Sequence, residues 1–241
     1  MKLLWKIEAS DVRKVDAFYE QYKNRHFVVE RRTMNVERNL PEHTHGLFWK
    51  EMVSCMMTTQ QRWGPNRPVT QFYFAQPFPL DYELCKQQYD LEAFARSKLA
   101  SFGGIRFSNI LAREIRDNFM WLNESGWKHI DETVARLKKN QTQQAEVDAA
   151  DFIDDSLKGF GPKQARNLLQ GLGLTRYEIP IDSRITKWLN KSGFPIKVSA
   201  VALADRNYYR FVSEGFQQLC AACDIYPCLL DAAIFSSYDR E

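Results

Sequence analysis

Apolar residues recur at three- and four-residue spacing through most of the chain, and that period predicts one helix after another. Val12, Val15, Phe18, Tyr19 and Tyr22 form one stripe, and Ser10-Asp11 ahead of it reads as the cap of a helix reaching about Asn24. Further helices are expected at roughly 47–61, 81–102, 107–123, 127–139, 146–157, 162–170, 182–191, 199–219 and 227–236. Phe27-Val28-Val29 reads as a short strand or extended chain. The stretch 62–79 holds Gly64 and four prolines and reads as a long irregular connection. No alternating strand pattern, repeat or low-complexity tract competes, so the expected fold class is all-α.

Length and composition then bound the function. A chain of 241 residues can bury a proper core, as one large domain or two small ones. No apolar run approaches the roughly 20 residues of a membrane span. The start meets Glu8 and Asp11 too soon for a signal peptide, which points to the cytoplasm. Five cysteines without a secretory signal fit free thiols better than a disulfide framework. The overall charge of +3 is mild, but residues 158–191 carry seven basic side chains against Glu178 and Asp182, whereas the last 41 residues carry an excess of three acids. A local cationic stretch suits a phosphate backbone or an ordinary solvated face.

The most specific motif lies between two expected helices. It reads Leu157-Lys158-Gly159-Phe160-Gly161-Pro162-Lys163-Gln164-Ala165. Gly159 and Gly161 permit a tight turn with positive φ, Leu157 and Phe160 can tuck inside it, and Pro162 suits the first position of the next helix. Such a turn aims backbone N–H groups and a positive helix end outward, as phosphate-holding hairpins do.

This segment resembles the helix–hairpin–helix of the base-excision DNA glycosylase superfamily, whose hairpin reads Leu-x-Gly-hydrophobic-Gly-x-Lys-x-Ala. In its bifunctional members the lysine at the position of Lys163 is the nucleophile. An aspartate about twenty residues on completes the signature, and here Ile179-Pro180-Ile181-Asp182-Ser183-Arg184 supplies Asp182, nineteen residues after Lys163. Upstream the likeness is looser. Met57-Thr58-Thr59-Gln60-Gln61 stands where the family carries an amide that fills the gap left by an extruded base. Gly103-Gly104-Ile105-Arg106-Phe107-Ser108-Asn109 with Ala112 is similar to a stretch of the archaeal-type 8-oxoguanine glycosylases, although the lysine of that stretch is absent. The likeness covers roughly 46–192 and is strong only over 157–185.

The resemblance implies a two-lobed helical enzyme that binds double-stranded DNA containing a damaged base across the cleft between its lobes. Residues 46–162 would form a central lobe ending in the hairpin, 163–241 a C-terminal lobe, and 1–45 would pack with the latter. A buried base must leave the stack before chemistry can reach it. The Lys163 amine would then attack the sugar C1′, expel the base and form a Schiff base that permits β-elimination of the 3′-phosphate. A helix N-terminus, neighbouring cations and partial burial favour the neutral amine this requires. Asp182 would offset positive charge developing on the sugar. An oxidised purine, 8-oxoguanine first, is the expected substrate. Gly159, Phe160, Gly161, Gln60, Gln61 and Arg184 are the expected DNA contacts, and Phe235 and Tyr238 the expected base-stacking residues.

Other readings stand beside these. Lys163 could simply hold phosphate, Asp182 could simply cap the helix that starts at Ser183, and the two glutamines could be surface residues. A glycosylase for another damaged base, or a non-catalytic DNA-binding module, would share the hairpin. Cys220, Cys223 and Cys228 fall one ligand short of a four-cysteine iron–sulfur set and read as buried thiols. His43 and His45 have no completing cluster. The expectation is no metal, no cofactor, no membrane contact and a monomer.

Overall fold

The computed structural model describes residues 5–238 except 59, 60, 62, 63 and 65, and these residues form helices and no strand. In chain order the α-helices are α1 (Ala9–Tyr22), α2 (His26–Arg31), α3 (His45–Met57), α4 (Pro68–Phe74), α5 (Tyr82–Lys86), α6 (Leu91–Ser101), α7 (Ser108–Trp121), α8 (Trp127–Lys139), α9 (Gln143–Ser156), α10 (Pro162–Gly171), α11 (Ser183–Lys191), α12 (Arg206–Ala222) and α13 (Pro227–Tyr238). The all-α expectation is met.

Several local expectations are corrected. Phe27-Val28-Val29 is helical, because Val28 is fully buried against Ala232 and Ala233 of α13, and burial outweighs the strand preference of a β-branched run. A π-helical turn, Arg32–Val36, continues α2. Residues 62–79 are not wholly irregular: Pro68 starts α4 at a position where a missing N–H costs nothing. The single helix expected over 81–102 is two, since the Asp90 carboxylate accepts from Ala93 N at 2.9 Å and caps a fresh start. Ser199–Leu219 likewise begins later, at Arg206, behind an Asp205 cap. Glu8, whose amide donates to Asp11 at 3.1 Å, replaces Ser10 as the cap of α1.

The chain divides into two compact units. One comprises residues 41–135 and 153–160. Its core forms where α3 sinks Phe48, Trp49, Met52, Val53, Met56 and Met57, and α4, α5 and α7 pack on that helix. Trp49 keeps its indole N–H satisfied by donating to Leu80 O at 2.7 Å. A π-helical turn, Leu122–Gly126, joins α7 to α8, and Gly126 leaves room for the Trp121 ring, which a Cβ would strike.

The other unit comprises residues 1–40, 136–152 and 161–241. Here α13 is buried from Pro227 to Ile234, including Asp231. A helix apolar all round must be covered all round, and α1, α2, α11 and α12 pack on it. Val15, Ile181, Ile185, Leu189, Phe216, Leu219 and Leu230 complete this core. Among the described residues no single helix is long and apolar enough to cross a membrane, no cluster of three His, Cys, Asp or Glu side chains offers a metal site, and the five cysteines are free thiols.

Candidate active site and nucleic-acid interface

The hairpin after α9 is tight. Leu157 is buried, and Phe160 N donates to Leu157 O at 3.4 Å. Gly159 has φ +79°, and a Cβ there would collide with the Glu114 carboxylate. Gly161 departs from expectation. Its backbone is extended (φ −146°, ψ −178°), and a Cβ would meet nothing within 4 Å. The second glycine is therefore not demanded by the turn; it leaves open space beside the first turn of α10.

A residue that the sequence reading passed over holds the hairpin. Asn118, buried on α7, accepts from Lys158 N at 2.7 Å and donates to Lys158 O at 3.0 Å. This pairing satisfies both polar backbone groups of one loop residue with one amide side chain. Burial pushes the carboxyl of nearby Glu114 above its ordinary range.

Gly161 caps α10, Pro162 takes its first position and Lys163 its second. Lys163 is half-buried, and its Nζ donates to Gln164 Oε1 at 3.2 Å. Its amine thus stands in the first turn of α10, at the positive end of the helix dipole.

Asp182 is the N-cap of α11: its Oδ1 accepts from Arg184 N at 2.7 Å and Ile185 N at 3.1 Å. Its Oδ2 faces Arg184 Nη1 at 3.3 Å, and the side chain keeps 29% of its surface open. The capping role is thus real, and one oxygen remains in front of it. The Arg184 guanidinium lies 4.0 Å from the Phe235 ring centroid, and that ring tilts against Phe27 at 4.9 Å. Asp182, Arg184 and Phe235 therefore form one group. Tyr238 is exposed, nearly a turn beyond Phe235.

A second residue missed in the sequence is Asp231. Burial raises its carboxyl from 3.8 to about 7, with Arg31 opposing and Asp182 adding to the shift. Its one visible signal was an acid inside the apolar run Leu229-Leu230-Asp231-Ala232-Ala233. Glu146 on α9 holds the backbone at 176–178, a few residues before Asp182. It accepts from the amides of Arg176 at 3.0 Å, Tyr177 at 2.8 Å and Glu178 at 2.8 Å, and burial raises its carboxyl to about 7.

Gln60 lies outside the described residues. Gln61 is not free to swing: its Oε1 accepts from Arg106 N at 3.0 Å and its Nε2 donates to Met57 O at 2.8 Å. The two loosely matching segments, 57–61 and 103–112, are therefore tied together by this side chain. Next to the tie, Phe107 adopts φ +61°, unusual for an aromatic residue, and exposes 43% of its surface with Arg106 beside its ring.

No family model matches the chain. It is 23% identical over 189 residues, 78% of this chain and 80% of the relative, to an 8-oxoguanine DNA glycosylase/AP lyase of Sulfolobus acidocaldarius. Among solved structures it is similar to the 8-oxoguanine DNA glycosylase of Methanocaldococcus jannaschii, with a TM-score of 0.69 and 17% identity over 95% of both chains. The complex of the M. jannaschii glycosylase/lyase with a 15mer DNA containing 8-oxoguanine aligns at TM-score 0.67 and 16% identity, over 94% of this chain and 97% of that one. The 8-oxoguanine DNA glycosylase of Thermotoga maritima aligns at 0.64 and 16%, over 96% and 97%. Across nearly its whole length, this chain has the fold of the archaeal and bacterial 8-oxoguanine DNA glycosylases.

Proposed function

We propose that this protein is a DNA glycosylase with AP lyase activity that removes 8-oxoguanine from double-stranded DNA, with Lys163 as its nucleophile. The observation that carries the reading is the placement of Lys163: half-buried, at the second position of α10, directly behind a glycine hairpin, in the same compact unit as Asp182. The open space beside Gly161 is where a phosphate could approach the N–H groups of α10's first turn.

In this reading the neutral Lys163 amine attacks C1′ of the extruded nucleotide, and the base leaves with the glycosidic electron pair and a proton. The C1′–O4′ bond then breaks with O4′ taking up a proton, the iminium so formed acidifies C2′, and loss of the C2′ proton expels the 3′-phosphate. Asp182 Oδ2 is held by Arg184 and stabilises positive charge on the sugar, while Oδ1 stays committed to the cap. Phe235, backed by Arg184, offers its half-buried ring to the base. The reading takes the protein as a cytoplasmic monomer, and the reaction needs no cofactor.

A panel of single-lesion duplexes at matched salt tests this substrate assignment, since phosphate contacts make binding salt-dependent. Strand cleavage fastest at 8-oxoguanine supports it. Faster cleavage at thymine glycol or uracil would move the substrate elsewhere and leave the reaction class standing.

A further inference from the structure

Behind the two candidate catalytic residues lies a buried polar network that the proposed reaction does not use. Arg166 is 1% exposed, Glu178 2% and Tyr209 0%. A buried ion pair is costly unless its remaining donors and acceptors find partners, and here they largely do. Arg166 Nε pairs with Glu178, and its Nη1 donates to Pro162 O at 3.1 Å. Glu178 Oε1 accepts from Ser213 Oγ at 3.1 Å and Gln217 Nε2 at 2.7 Å. The guanidinium of Arg166 packs 4.6 Å from the centroid of the Tyr209 ring.

The ends of this network touch the backbone next to both candidate catalytic residues. Pro162, whose carbonyl Arg166 holds, immediately precedes Lys163. The Tyr209 hydroxyl accepts from Ile181 N at 2.6 Å and donates to Ile179 O at 2.8 Å, and Ile181 immediately precedes Asp182. One phenol thus closes two backbone groups of opposite polarity and fixes the chain where α11 begins. A well-packed apolar side chain would fill the same volume, and often with better stability. What it would lack is a directional grip on residues 179–181.

We propose that Tyr209, seated on the Arg166–Glu178 pair, is a positioning residue that holds the Asp182 carboxylate in place for chemistry at Lys163. Its catalytic consequence rests on the glycosylase reading. Tyr209→Phe keeps the ring and removes both hydrogen bonds. In the full-length protein, well below its melting temperature, the variant should bind lesion duplex within about twofold of wild type. Its single-turnover excision should be about fivefold slower or worse. The decisive readout is the double variant with Asp182→Asn, which should be no slower than Asp182→Asn alone, because residues acting through one group are non-additive. Full activity in Tyr209→Phe, or losses that multiply in the double variant, would overturn the proposal. Should Tyr209→Phe not fold, Ser213→Ala, which loosens Glu178 from outside, takes its place in the same cycle with the same outcomes deciding. A wild-type protein inactive on every lesion duplex would sink the glycosylase reading instead. Amide hydrogen exchange then decides the positioning role: faster exchange at Ile181, Arg184 and Ile185 in the variant supports it, and unchanged exchange overturns it.

Discussion

Asp182 accepts from Arg184 twice, once from its backbone amide at 2.7 Å and once from its guanidinium at 3.3 Å. The two oxygens of one carboxylate are thus divided between a structural task and an electrostatic one, and substitutions can separate them. Asparagine retains a capping oxygen, whereas alanine loses the cap at a cost of about 0.5–2 kcal/mol. The exposed part of the Arg184 pair adds little, roughly 0–1 kcal/mol. Asp182→Asn should therefore melt close to wild type yet excise base at least about tenfold more slowly. Asp182→Ala should be both slow and less stable. Wild-type turnover in Asp182→Asn would leave the residue a cap and nothing more.

The two hairpin glycines should behave differently. Gly159 sits at φ +79° against Glu114, so Gly159→Ala combines backbone strain of about 1 kcal/mol with displacement of a carboxylate. It should lower both the melting temperature and DNA affinity. Gly161 is extended with open space around its Cα, so Gly161→Ala should fold normally and lose DNA affinity alone. Paired thermal melts and duplex titrations distinguish the two patterns. Equal destabilisation by both would mean that the open space beside Gly161 has no functional meaning.

Much of this was legible in residue order because the signals were local. Pro162 after Gly161 marks a helix start, and Asp182 before Ser183-Arg184-Ile185 marks another; both helices begin within a residue of expectation. The failures lie where tertiary burial decides. Val28 and Val29 have strand propensity, but α13 covers Val28 and the segment coils as α2. The π-helical turns at 32–36 and 122–126 follow no simple apolar period. Of the candidate site, the placing of Lys163, Asp182 and Arg184 at the starts of α10 and α11 was readable because local spacing carries it. Asn118, Asp231 and the Arg166–Glu178–Tyr209 network were not, since each has meaning only through partners distant in the chain.

Gln61 offers a test of the loosely matching segments. Its amide bridges Met57 O and Arg106 N, holding the strained Phe107 next to it. Gln61→Ala removes hydrogen bonds worth about 1 kcal/mol each at most, in a partly exposed setting. Stability should change little, while excision from intact duplex should slow more than cleavage of a preformed abasic site, which needs no base extrusion. Equal effects in both assays would make Gln61 a loop brace without a role in extrusion.

Two buried carboxyls set the expected pH dependence of stability. Glu146 and Asp231 are each raised to about 7 in the fold, from ordinary values of 4.5 and 3.8. A raised carboxyl means that the folded state holds its proton more tightly than the unfolded state. The stabilisation is therefore complete below about pH 4 and is lost as pH rises through about 7. Unfolding free energy from urea titrations should fall between pH 5.5 and pH 8, by an amount on the order of a few kcal/mol. Asp231→Asn, which carries no titrating proton, should flatten part of that slope. A stability that rises over this interval would show that the two groups are charged in the folded protein at acid pH.

The proposed reaction passes through a covalent bond between Lys163 and the sugar of a damaged nucleotide, and borohydride trapping reads that bond directly. On a duplex with one 8-oxoguanine, wild-type protein should yield a reduced protein–DNA adduct, mapping to Lys163 in the digested complex. Lys163→Gln should bind the same duplex and give no adduct. An adduct that survives Lys163→Gln at full yield would place the nucleophile on another residue.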